Sequence, residues 1–222
     1  YQNKELVVGF FNRDTFKRKA KIITSIAMFY DVEDPLAFMR DIGRSLAPGG
    51  IWVTEQSYMP TMLKNVAYDT VCHEHIEYYG LRQIKWMAEK RGLKIIDVTL
   101  NDINGGSFCV TLCHKGARYK ANSTAINALL QAESKLTMFD YSIFEDRTYQ
   151  SLRRVVSVLQ DIERRGKSVL GYGASTKGNM ILQFCSIKLK VIADRNPAKW
   201  GLRTPGTDIP IVPEAYARSL KP

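Results

Sequence analysis

No CxxC pair occurs anywhere in these 222 residues, and the chain has only three histidines. Structural zinc sites draw on closely spaced cysteines, so the pattern argues against such a site within these residues. The four cysteines, Cys72, Cys109, Cys113 and Cys185, are too few and too scattered for a disulfide framework. They read as reduced thiols in a cytoplasmic setting. No apolar run approaches the roughly 18–20 residues of a membrane span. The opening YQNKELVVGFF lacks the basic start and long apolar stretch of a signal peptide. No RNA- or DNA-binding signature and no basic run interleaved with aromatics is present, so nucleic acid is not the expected partner. No internal repeat or low-complexity segment interrupts the chain, and nothing in the pattern specifies an oligomer.

What is there is basic. The formal net charge is +10, spread over FKRKAK (16–21), LRR (152–154) and ERRGK (163–167). A dispersed positive field suits solvated faces and a phosphate-bearing small molecule. At 45% hydrophobic residues the chain can bury a real core, as one large domain or two smaller ones.

Periodicity gives an α/β fold. AKIITSIAMFY (20–30) is a near-continuous apolar run, as in a buried parallel strand. Pro35 suits a first helical position, and Leu36, Met39, Ile42 and Leu46 share one helical face. APGG (47–50) stops that helix, and IWVTEQSYM (51–59) is the next strand. Such a strand–helix–strand unit builds a doubly wound sheet, and alone it leaves a sheet edge for further strands before Tyr1 or from a partner. LRQIKWMAEKRGL (81–93) is an amphipathic helix. KIIDVTL (94–100) and SFCVTLCHK (107–115) read as an antiparallel pair joined by NDINGG, with Cys109 and Cys113 as small buried residues on one face. Residues 122–165 read as two helices. A second α/β unit follows: KSVLGYGASTKGNMILQFC as strand, glycine turn and helix, LKVIAD (189–194) as strand, and 195–214 as a loop rich in proline and glycine.

Two stretches carry chemistry. GYGASTKGN (171–179) places Gly171 and Gly173 at the first two positions of a GxGxxG turn, with Thr176 at the third. Such a turn aims backbone N–H groups at an anion. Ser175, Thr176, Lys177 and Asn179 add donors, and Asp194 ends the next strand about 20 residues on, where a ribose-binding acid sits. Lys177 is followed by glycine, so this is no Walker A loop. A tight turn without ligand is the alternative. The other stretch is YDTVCHEHIEYYG (68–80). HEHIE is not HExxH, and only the distant His114 could supply a third imidazole, so metal binding is not expected. A histidine near neutrality can serve as acid or base. Spacing alone leaves catalysis and a structural, helix-capping role equally open.

As a set, LAPGGIWVTEQSY, YDTVCHEHIEYY, NDINGGSF, GYGASTKGN and IADRNPAKWGLRTPGTDIPI resemble the sugar C-methyltransferases, which use S-adenosylmethionine to methylate a ring carbon of a nucleotide-linked deoxysugar. The resemblance implies the end of a Rossmann-like methyltransferase domain (1–120) with a Glu-His active-site segment, a helical bridge (121–165) and a second, incomplete Rossmann-like domain (166–222). It implies that a zinc-binding domain and the glycine-rich methyl-donor loop lie before Tyr1, and that further strand and helix follow Pro222. It puts Glu74 and His75 at the active site, with His75 as the base that forms an enolate. Relatives carry a tyrosine where Cys72 stands. By the logic of such a site, Asn104, Gly105, Gly106 and Ser107 line the sugar cleft, and Ser175, Thr176 and Lys177 hold the diphosphate. Two other readings compete: a nucleotide-sugar-binding module without catalysis, and a nicotinamide-dependent oxidoreductase using Gly171, Gly173 and Asp194.

Overall fold

The structure is a computed structural model and describes residues 5–221. The first four residues of the stretch read against a signal peptide lie outside those described. The chain divides into two compact units: residues up to 65 with 74–140, and 66–73 with 141 onward. Both are mixed α/β. No helix among the described residues is long and apolar enough to cross a membrane.

The first unit is built on a four-stranded sheet of β1 (Ala20–Ile26), β2 (Leu46–Ser57), β3 (Leu93–Asn101) and β4 (Ser107–His114), in the order β1-β2-β4-β3. β1 and β2 run parallel, with Ile26 opposite Glu55. β4 runs antiparallel to both neighbours, as the NDINGG connection predicts. Helix α1 (Pro35–Ser45) joins β1 to β2, α3 (Leu81–Lys90) precedes β3, and α4 (Ser123–Glu133) follows β4. These three helices cover one sheet face. Trp52, Phe108, Val110 and Leu112 from the strands meet Met39, Ile42, Leu81, Ile84 and Ile126 from the helices. The alternation of β2 explains the division, since every second side chain turns inward. On the other face Ile22 and Ile26 are exposed, and β1 forms the sheet edge.

Local signals set the helix starts. Asp34 caps α1 by accepting from the Ala37 amide at 2.8 Å, and Pro35 takes the first turn, where no donor is needed. The α1 boundary differs from expectation at its end. The helix closes at Ser45, and Leu46 to Gly50 already belong to β2. The glycines there let the chain enter the strand: a Cβ on Gly50 would lie 2.8 Å from the Ala20 carbonyl oxygen. A further helix, α2 (Met59–Asn65), follows β2 and takes in Met59, which the sequence reads as the last residue of the strand.

The second unit carries α5 (Met138–Arg164), most of which belongs to it, then β5 (Gly171–Tyr172), α6 (Thr176–Phe184), β6 (Ile192–Asp194), β7 (Ile211–Pro213) and α7 (Glu214–Ser219). Its sheet is parallel, in the order β5-β6-β7. Residues 122–165 do form two helices, and the expected bridge is divided: α4 belongs with the first unit, nearly all of α5 with the second. The strands are shorter than the sequence suggests. The expected loop 195–214 contains β7, whose three residues pair with β6 across two intervening turns.

Candidate functional site

In the first unit, the segment carrying Glu74 and His75 is irregular, and neighbours hold it in place. The turn after β1, a short 3₁₀ helix over Phe29–Asp31, does most of this. The Tyr30 carbonyl accepts from the Ile76 and Glu77 amides at 3.1 and 3.2 Å. The Tyr30 ring lies against the His75 imidazole, 4.3 Å between centroids, and the Tyr78 ring stands 6.4 Å from it. His75 is half-buried, and Glu74 is exposed. Asp31 belongs to the same group. Burial pushes its carboxyl up, His75 draws it back down, and Glu74 raises it further. Tyr30 and Asp31 were not singled out from sequence. Their signal is positional: they occupy the turn at the C-terminal end of β1, where side chains of a parallel sheet gather around ligands.

The other end of the segment is fixed by Glu133, the last residue of α4. Its buried carboxylate accepts from the Tyr58 hydroxyl at 2.8 Å and from the Leu81 and Arg82 amides at 2.5 and 2.9 Å. A carboxylate there satisfies the orphan donors of α3 and complements its dipole. Gly80 makes this approach feasible, because a Cβ would sit 3.0 Å from the Glu133 carboxyl. The histidine stretch thus does precede a helix, but the cap comes from Glu133, 52 residues beyond Leu81.

Asn104 to Ser107 form the tight β3–β4 connection. Asn104 is left-handed at φ 55°, a conformation asparagine tolerates. Gly106, at φ 124°, packs so closely that a Cβ would overlap Thr61 Cγ2 and lie 2.8 Å from Thr61 Cβ. The Asn65 side chain donates to the Gly105 carbonyl at 2.8 Å. The Ser107 hydroxyl is buried and donates to the Ile103 carbonyl at 2.9 Å, while Asp102, Ile103 and Asn104 are exposed on the turn. This turn and the histidine segment share an anchor. The Tyr58 amide donates to the Gly106 carbonyl at 3.1 Å, and the adjacent Met59 amide donates to the Tyr79 carbonyl at 3.0 Å. The β2–α2 junction therefore holds both expected parts of the first unit's site.

His114 is elsewhere. It follows Cys113, which pairs with Ile51 in the middle of β2, whereas the Tyr30 turn follows Ile26, opposite Glu55. Four residues of strand, roughly 13 Å, separate these levels. Among the described residues no cluster of three or more His, Cys, Asp or Glu side chains is placed to hold a metal. Burial pushes the Cys109 and Cys113 thiols up; Cys113 is buried as expected, whereas Cys109 is only half-buried, beside Glu55 and Asp97, whose charges raise it further.

The glycine loop lies in the second unit. Gly173 is at φ 90°, and its amide donates to the Ala193 carbonyl at 2.7 Å. Ser175 caps α6, its hydroxyl accepting from the Gly178 amide at 3.1 Å. Asp194 has internal partners: its oxygens accept from the Ala174 and Asn196 amides, both at 2.8 Å, and Lys199 Nζ lies 3.4 Å away. These donors hold its carboxyl below the usual range, the Asn196 amide most of all. Asp194 thus ties the loop to the sheet. Lys199 reinforces the tie by donating to the Ala174 carbonyl at 2.7 Å. Ser175 and Thr176 are exposed at the mouth of the turn, and Lys177 and Asn179 are half-buried.

Two known families match this chain, and their matches meet between β3 and β4, inside the first unit. Residues 5–98 match a family described as a methyltransferase domain. Residues 102–222, more than half of the chain, match the C-methyltransferase C-terminal domain, and the chain belongs to that family. It is 29% identical over 197 residues to C-methyltransferase NovU of Streptomyces niveus, an alignment covering 86% of this chain and 47% of that protein. The chain thus spans about half the length of this relative. Among solved structures, a putative methyltransferase bound to the Haloferax volcanii activator Trm112 shares 13% identity at a TM-score of 0.37, over 43% of this chain and 54% of that one. The O-methyltransferase NcsB1 of neocarzinostatin biosynthesis shares 15% at 0.34, over 44% and 29%.

Proposed function

We propose that this chain forms the acceptor-handling part of an S-adenosylmethionine-dependent C-methyltransferase whose substrate is a nucleotide-linked keto-deoxysugar, with His75 as the base. The observation that carries this is the cluster of Tyr30, Asp31, Glu74, His75 and Tyr78 at the end of β1, within a chain of the C-methyltransferase family. Carbon methylation needs a carbanion equivalent. A carbon beside a ketone becomes one when a positioned base removes its proton. His75 is suited to that task, since it is half-buried against an aromatic ring and has the Asp31 carboxylate in electrostatic reach. S-adenosylmethionine would supply an electrophilic sulfonium methyl to the resulting enolate. In the first unit, no strand–glycine turn–helix that would cradle this donor occurs among the described residues. The Asn104–Ser107 turn, anchored at the same junction as the histidine segment, is the proposed sugar-side wall. The loop of Gly171, Gly173, Ser175, Thr176, Lys177 and Asn179 is the proposed seat of the diphosphate.

The test is His75→Asn in the complete protein, assayed for methyl transfer and for solvent deuterium exchange at the carbon beside the ketone. Both rates are expected to fall about 10²–10⁴-fold. Unchanged exchange would remove His75 as the base.

A further inference from the structure

The second unit contains a cavity of about 240 Å³ that the glycine loop does not line. Its wall comprises Tyr68, Phe144, Thr148, Tyr149, Met180 and Phe184, with Glu145 exposed among them. Helix periodicity explains how they meet. Glu145, Thr148 and Tyr149 lie three and four apart on α5, and Met180 and Phe184 lie four apart on α6. Tyr68 comes from the short 3₁₀ turn Tyr68–Thr70. The Phe184 ring is the centre of the wall, 5.6 Å from the Tyr68 ring and 5.8 Å from the Tyr149 ring. Two of the lining hydroxyls are turned to their own surroundings: Thr148 donates to the Phe144 carbonyl at 2.8 Å, and Tyr68 lies 3.4 Å from Ser151 Oγ. Tyr149 is 46% exposed and Phe184 38%, so aromatic surface faces the opening.

This lining discriminates among ligand classes. An anion would meet the Glu145 carboxylate and no lining cation. An aliphatic chain would leave that carboxylate unpaired. A planar heteroaromatic ring suits both features, because its faces stack on the rings and an N–H on its edge meets the carboxylate. We propose that this cavity is a slot for a nucleobase-like ring, a planar heterocycle bearing an N–H donor. The ring slot stands on the cavity alone. Identifying the ring as the base of the acceptor's nucleotide rests on the function proposed above. In that case one helix serves both halves of the nucleotide. α6 begins at Thr176 and Lys177, and Met180 follows one turn later, about 6 Å along the axis.

The experiment is calorimetric titration of the complete protein with thymidine and with guanosine, using ribose 5-phosphate as the non-aromatic control. Tyr149→Ala removes a half-exposed ring, and Phe184→Leu keeps the apolar volume without the ring. Saturable nucleoside binding, weakened about 5- to 150-fold by either variant, is expected. Binding of ribose 5-phosphate should not respond to either variant. Absence of nucleoside binding, or affinities unchanged in both variants with intact melting curves, overturns the slot. If nucleosides bind as expected and no nucleotide-linked ketone is methylated, the slot stands and the proposed function falls. If both variants lose nucleoside binding yet keep wild-type methyl transfer, the ring is not the acceptor's base, and that identification is overturned.

Discussion

Tyr30 lays its ring against His75 at 4.3 Å between centroids, with 53° between the planes, while its carbonyl accepts the two amides that follow the histidine. One residue thus fixes both the backbone beyond His75 and the tilt of its imidazole. Tyr30→Ala keeps the carbonyl and removes the ring. With His75 as the proposed base, kcat of the complete protein should fall, up to about 10²-fold, with KM little changed, because displacing a base costs rate before substrate affinity. Tyr30→Phe should restore most of the rate. Equal losses in both variants would assign the role to the hydroxyl rather than to the stacking.

Glu133 sets the other end of the segment. Glu133→Ala would strip an acceptor from the Tyr58 hydroxyl and from the Leu81 and Arg82 amides. The expected destabilisation is about 1–3 kcal/mol for each buried donor left alone, read by urea unfolding. Glu133→Gln retains an acceptor oxygen and should lose much less.

The same pair predicts alkaline behaviour. Burial and Glu133 push the Tyr58 phenol far above its ordinary value, and burial with Glu77 pushes Tyr79 up to about 12. A raised folded pKa means that this stability is complete below pH 10 and is lost as pH climbs toward 12 and beyond. Phenolate absorbance should show Tyr58 and Tyr79 ionising above the ordinary phenol range, together with unfolding.

Gly106 should tolerate no side chain. Alanine would drive a methyl into Thr61 Cγ2 on a backbone at φ 124°. Gly106→Ala is expected to cost about 1–3 kcal/mol from overpacking alone, seen as a lower melting temperature. Adding Thr61→Ser removes the nearest methyl and should recover part of that cost. The remainder measures the backbone strain. Full recovery would show that the positive φ imposes no penalty.

The sequence made the α/β class and most helices legible, because long amphipathic stretches such as 81–90 and 138–164 carry strong periodicity. It was less informative where tertiary contacts decide. Leu46 reads as the last member of a helical face, yet parallel pairing with Ala20 draws it into β2. Ile211–Pro213 is a three-residue strand with a proline, and pairing with β6 gives it its form. Glycine turns pointed to 104–107 and 171–179 as tight connections. They could not reveal that Asp194 is held by loop amides, because that depends on the register of β5 against β6. Nor could spacing join Tyr30 to His75, 45 positions away, or Glu133 to the start of α3, since neither pair shares an element.

The boundary between the units falls between His73 and Glu74, and the chain crosses it again at 65/66 and 140/141. No single cut of the gene can therefore yield both units whole. A fragment ending at 140 would carry the eight residues 66–73 without the helices they belong with. A fragment starting at 141 would lack Tyr68, one wall of the aromatic cavity. Recombination between relatives meets the same rule: a swap of the second unit that leaves 66–73 behind exchanges an incomplete part.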